Sequence, residues 1–218
     1  MTEQARKLED LEWVGGHAAL DFVNTVNAWT GNHPGAEYLL TYEDLLRWHR
    51  LAGLIGSHGS RALSMASTPD KAMALQDALA FRGALHGIFH SVAAGQSLPQ
   101  RALDHLNDAL RRTVKWRRLL AAGREIRCGW DFTGAPPDAI LGPVTWQAVE
   151  LLEHGELDRI KECPALDGCG WLFLDSSKNR SRTWCSMKTC GNSAKVKRFR
   201  ARHEHSSTGG KRMPTSRG

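Results

Sequence analysis

The chain has 218 residues, and 29 Lys and Arg against 23 Asp and Glu give it a formal charge of +6. A mass of 24.1 kDa suits one ordinary domain plus a small satellite and excludes a mini-protein held together only by staples. A hydrophobic share of 41% beside 24% charged residues excludes a disordered or fibrous chain.

Residues 1–13 are charged, and no apolar run reaches the roughly 18 to 20 residues that a membrane span needs. The expectation is a cytoplasmic protein with no membrane segment. Residues 13–30 read as a short strand or buried segment, with Ala19, Leu20, Phe22, Val23 and Val26 apolar around Asp21, Asn24 and Thr25. A loop follows at residues 31–35. Residues 42–54 have helical spacing, with Leu45, Trp48, His49 and Ala52 on one side.

Thr68-Pro69-Asp70 is a helix start, and its stripe Leu75, Leu79, Arg82, Leu85, Phe89, Val92 runs to Gly95. Residues 97–99 open a second helix, striped by Leu103, Leu106, Leu110 and Val114, which should pack antiparallel on the first. Residues 124–132 alternate as a strand, and Cys128 within it reads as a buried small hydrophobe. A further helix spans 144–153, and a domain boundary falls near 155–162. Residues 206–218 are rich in Ser, Thr, Gly, Lys and Arg and read as a disordered basic tail.

The charge is unevenly placed. From Lys161 onward there are 13 basic and 4 acidic residues, so this part carries +9 and leaves about −3 for the first 160 residues. Four of the five cysteines lie there too, as Cys163-x5-Cys169 and, after fifteen intervening residues, Cys185-x4-Cys190. Two pairs at that separation suit one tetrahedral zinc ion, each pair on a tight loop. A Cys3His site using His203 or His205 is the alternative. Four thiolates leave no position for water, so the zinc is expected to be structural. Because about 28 residues bury little core, ligation should supply much of the segment's folding.

After Cys190, residues 193–203 form a helix with a narrow stripe of Val196, Phe199 and His203, which can rest on the zinc hairpin. Lys195, Arg198 and Arg202 flank it on one side, and Lys197 and Arg200 on the other. With Lys178, Arg180 and Arg182 these make a one-signed surface for a polyanion, double-stranded DNA ahead of RNA because a helix fits the major groove.

The run Cys169-Gly170-Trp171-Leu172-Phe173-Leu174-Asp175, then Asn179-Arg180-Ser181-Arg182, Trp184-Cys185-Ser186-Met187 and Cys190-Gly191-Asn192, resembles the CGNR zinc finger of bacterial proteins. Ala19-Leu20-Asp21-Phe22-Val23-Asn24-Thr25 resembles the start of the ABATE domain, a family described as stress-induced transcription regulators. The resemblance implies an α+β N-terminal domain over residues 13–158, mainly helical with a small sheet, and a finger over 159–205. That finger would be a β-hairpin followed by a helix, treble-clef-like, with Cys163, Cys169, Cys185 and Cys190 as ligands and DNA as the presumed target. Ser193 stands where the family's motif has Arg, and the first cysteine pair is one residue wider.

A regulator needs an input, and Asp21, Asn24 and Arg82, polar residues in apolar settings, are candidates for an effector pocket. No H-E-x-x-H, G-x-S-x-G or phosphate-cradling glycine loop occurs, so an enzyme is not expected. A zinc-dependent protein- or RNA-interaction module is the alternative function.

Overall fold

The computed structural model describes residues 7–29, 36–164 and 168–208. Helix α1 (Ala18–Val23) occupies the stretch for which a strand was one expectation. Ala19 through Val23 are all buried, so the sequence shows no contrast between faces from which a period could be read. His17 Nδ1 accepts from the Ala19 N–H and caps the helix. The expected loop at 31–35 lies outside the described residues.

Thr41 and Asp44 cap α2 (Tyr42–Leu51) reciprocally, each side chain taking the other's backbone N–H. α3 (Ser57–Ser64) has no clear sequence signal. α4 (Thr68–Ala93) starts as expected, although the capping hydroxyl is that of Ser67. Its buried positions Ala74, Ala78, Phe81, Arg82, Leu85, Ile88 and Phe89 step by three and four residues, so one face of a helix about 39 Å long enters the core. α5 (Gln100–Thr113) returns along α4, burying Leu106 and Ala109, and Arg112 near its end reaches Asp77 near the start of α4 at 3.2 Å.

The expected strand, β2 (Glu125–Trp130), pairs antiparallel with β1 (Arg117–Ala122), which the sequence reading missed. Gly123, at φ 65°, supplies the first central position of the two-residue turn between them. Cys128 is exposed, not buried as expected, because the hairpin stands out from the body with Leu119 76% and Ile126 72% exposed. Alternation marks a strand without saying whether a core lies against it.

α6 (Leu141–His154) follows a 3-10 turn at Pro137–Ile140 and packs on α1 and α5. β3 (Ile160–Glu162) pairs antiparallel with β4 (Leu172–Leu174), and α7 (Asn192–Thr208) closes the described chain. The expected hairpin followed by a helix is therefore present, on a mainly helical body with small sheets. The tail expected to be disordered from 206 is helical to Thr208, and its remainder lies outside the described residues.

Among the described residues, one core joins the helical body to the β3–β4 hairpin. Leu20, Phe22, Trp48, Leu85, Phe89 and Val144 are continuous with Ile160, Leu172, Phe173 and Cys185. The C-terminal hairpin does not rely on ligation alone for its core; it shares that of the helical body.

Candidate metal centre

Each cysteine is placed by local backbone. The Cys163 N–H donates to the Trp171 carbonyl at 2.8 Å, extending the β3–β4 ladder by one residue. Cys169 sits between Gly168 (φ 76°) and Gly170 (φ 60°), so the first knuckle needs left-handed backbone on both sides of its ligand. Cys190 lies in a π-helical turn, Met187–Gly191, that leads into α7, and the Gly191 N–H closes this turn onto Ser186 at 3.0 Å.

The four sulfurs all lie within 4.8 Å of one another. Cys185 Sγ is 3.6 Å from both Cys169 Sγ and Cys190 Sγ. A tetrahedron of thiolates around zinc, with Zn–S about 2.3 Å, has edges of about 3.8 Å. The donor set therefore fits a zinc ion, and Cys163, Cys169, Cys185 and Cys190 would hold it. Hydrogen bonding with Cys163 pushes the Cys169 and Cys185 thiols up, and burial does so for Cys190. A cation at the centre is what lets all four ionise together. All-sulfur coordination leaves no open position, so the zinc supplies structure rather than a nucleophile.

The loop between the knuckles is braced from within. Asp175 is fully buried; burial pushes its carboxyl up, but Lys161 and Ser177 outweigh this and hold it well below the usual range. Lys161 Nζ lies 2.6 Å from Asp175 Oδ2, and the Arg182 N–H donates to the same oxygen at 3.1 Å. The Arg182 guanidinium turns inward, donating to the carbonyls of Trp184, Leu174, Val14 and Cys185, with its carbon 4.3 Å from the centre of the Phe173 ring. Such a guanidinium is a bracket for the metal loop and is withdrawn from the outward cations.

The other basic candidates are arranged differently. Lys178 and Arg180 are exposed, and Arg180, at φ 52°, bonds to Asp158. Lys195, Arg198, Arg200 and Arg202 are exposed along α7, with Lys197 half-buried. The buried residues at its start are Gly191, just before the helix, and Ala194 in its first turn, whereas Val196 and Phe199 are 47% and 57% exposed. The expected stripe is thus about half exposed at Val196 and Phe199 rather than buried against the zinc hairpin; the side chain of His203 lies outside what is described.

Comparison with protein families assigns both parts. A family model described as "Putative stress-induced transcription regulator", named ABATE, matches residues 16–155. The chain belongs to the ABATE family. A second model, the CGNR zinc finger, matches residues 159–203, which contain all four cysteines. No curated protein matches the chain. Both families are regulator and zinc-finger types, and neither is an enzyme class.

Within the ABATE portion, the three residues expected to line an effector pocket are consumed in interior bonding. Asp21 Oδ1 accepts from the Gly15 N–H at 2.8 Å, and a Cβ at Gly15 would lie 2.8 Å from that oxygen. Asn24 bonds to Leu172 of β4. Arg82 forms a two-pronged pair with Glu37, at 2.7 and 2.6 Å, and donates to the Thr25 carbonyl and hydroxyl at 3.1 and 3.0 Å. A cavity next to the finger lies elsewhere: about 300 Å³ between the two portions, lined by Asn27, Tyr38, Trp171, Cys169, Cys190 and Ser193. Chain separation hid this seam from sequence reading, whereas the brace of the metal loop was signalled by Asp175, an acid directly after the apolar run.

Proposed function

We propose that this ABATE protein is a cytoplasmic DNA-binding transcription regulator whose zinc centre fixes α7 at an angle suited to duplex DNA. The carrying observation is the charge of α7: from Asn192 to Arg202 it has five cations, Lys195, Lys197, Arg198, Arg200 and Arg202, and no acid. The field of such a helix attracts phosphate, and a bare α-helix fits the major groove. Lys178 extends the same positive surface from the loop. Arg182 holds the loop and makes no phosphate contact.

The input belongs at the seam cavity, whose walls include ABATE residues and three of the zinc ligands. A small molecule there touches both portions at once and can tilt α7.

Fluorescence anisotropy of the zinc-loaded protein on duplex DNA, repeated over a salt series, tests the reading. The logarithm of affinity should fall linearly with that of salt, with a slope of about −0.9 for each phosphate neutralised. No duplex affinity at low salt, or a clear preference for RNA, overturns it.

A further inference from the structure

We propose that the outer edge of β2 pairs with the same edge of a second copy of this chain, giving a twofold, four-stranded antiparallel sheet centred on Ile126. This does not rest on the DNA-binding reading. Its starting point is a hairpin that packs on the core at its base, through Trp116 and Trp130, and leaves its outer part uncovered. Two strands without a covering layer are marginal, and an uncovered apolar edge is a template for pairing. Leu119 and Ile126 are 76% and 72% exposed, Leu120 43%, and Cys128 is exposed as well. Among the described residues no strand pairs with the outer edge of β2.

The existing ladder fixes which groups that edge offers. The Asp131 N–H donates to the Trp116 carbonyl at 2.9 Å, so this pair, in register with β1 and β2, is a hydrogen-bonded one. Alternation in an antiparallel ladder then turns Gly129, Arg127 and Glu125 toward β1. The N–H and C=O groups of Ile126 and Cys128 point outward, ready for a partner strand.

Charge selects the register. In a twofold antiparallel pairing, an axis at Glu125 sets two carboxylates opposite each other, and one at Arg127 sets two guanidinium groups opposite each other. An axis at Ile126 sets Glu125 of each copy across from Arg127 of the other, twice over. It also makes Ile126 a hydrogen-bonded pair with itself, in phase with its outward backbone groups. Glu125 and Arg127 already lie side by side, 2.7 Å apart and 67% and 74% exposed, on one face of β2. Such isologous self-complementarity suits a twofold dimer, and cross-strand opposite charges stabilise a sheet where like charges oppose it.

The test uses the full, zinc-loaded chain in sedimentation equilibrium, with zinc content and circular dichroism as checks on folding. Wild type should form a reversible dimer. Arg127→Glu places like charges across both contacts and should weaken the dimer about tenfold. Adding Glu125→Arg reverses both members and should restore it, which a merely damaged hairpin would not do. Ile126→Cys in a Cys128→Ser background should give a disulfide-linked dimer on mild oxidation, since hydrogen-bonded partners stand about 5.5 Å apart at Cα. A monomer at every concentration overturns the proposal. So does a dimer indifferent to charge reversal, or one that fails to cross-link through position 126.

Discussion

Asn24, just after α1, and Leu172, in β4, exchange two hydrogen bonds across 148 residues of sequence. Asn24 Nδ2 donates to the Leu172 carbonyl at 2.8 Å, and the Leu172 N–H donates to Asn24 Oδ1 at 3.0 Å. A side-chain amide thus stands in for the peptide of a neighbouring strand. The same seam holds Trp171 Nε1 on the Val26 carbonyl at 2.6 Å and the Trp29 N–H on the Cys169 carbonyl at 2.9 Å. The ABATE motif at 19–25 is, physically, the clamp on which the zinc hairpin sits.

Removing that clamp should be expensive. Asn24→Leu keeps similar bulk but leaves the buried Leu172 N–H and C=O without partners, a cost of about 2–4 kcal/mol. Asn24→Asp should be at least as damaging, because a carboxylate cannot donate to the Leu172 carbonyl. Denaturant unfolding of the zinc-loaded variants checks this, and a change below about 0.5 kcal/mol would show the pair to be dispensable.

Arg182 and Lys195 should separate two roles that sequence alone could not. Arg182→Lys loses most of four carbonyl contacts and the planar stacking on Phe173, so stability should fall by at least about 2 kcal/mol. Lys195→Gln should leave stability within about 0.5 kcal/mol while the salt slope of DNA binding falls by about 0.9. Thermal melts and salt-dependent anisotropy on both variants give the comparison. The assignment fails if Arg182→Lys alters only the slope.

What the sequence disclosed and what it hid follow from the range of the physics involved. The zinc ligands were legible because the spacing of two cysteine pairs is a local property that already implies a tetrahedron. The long helix α4 was legible from its periodicity and its proline start. Arg82 stood out correctly as polar among apolar neighbours, but its partner Glu37 is 45 residues away, so a pocket and an internal ion pair looked alike. Arg182 looked like one more surface cation because composition does not record which way a loop turns. Cys128 and the stripe of α7 were assigned to cores that the topology does not place beside them.

Two histidines, one buried and one half-buried, weaken the fold as pH falls. His49 is fully enclosed, its Nδ1 on the Leu45 carbonyl at 2.9 Å, and burial brings it down to about 4. His86 stacks on Trp29 with ring centres 4.0 Å apart and is likewise brought down to about 4, by burial and then by the neighbouring His90. Their folded values lie below the ordinary 6.5, so the unfolded rings bind protons first as pH falls. The stability each supplies is complete above pH 6.5 and is lost toward pH 4. Asp21 has the opposite sign: burial lifts it from 3.8 to about 6, so its contribution is complete below pH 3.8 and lost as pH rises through 6. His86→Phe keeps the stack on Trp29 without the titration. Relative to that variant, wild type should lose about 1 kcal/mol between pH 7.5 and 5.5, and a constant difference would exclude the His86 contribution.

Metal removal should be felt through the whole chain rather than in the finger alone. Cys163 and Cys185 are buried in the same cluster as Leu172 and Phe173, which continues into Leu20, Phe89 and Val144. Losing the ion leaves thiols that must bind protons and separates the two knuckles, so β4 loses its support on one side while Asn24 still grips it on the other. Structural zinc contributes about 10–16 kcal/mol of apparent binding energy in isolated fingers, against about 3–5 kcal/mol for truncating a buried Phe such as Phe173. Cys185→Ser should therefore cut metal content from near one equivalent to a small fraction and destabilise more than Phe173→Ala. Because the core is shared, calorimetry should show one unfolding transition moved to lower temperature. Two separate transitions, with the ABATE portion melting as in wild type, would instead make the finger an independent unit, and unchanged metal content in Cys185→Ser would remove the site itself.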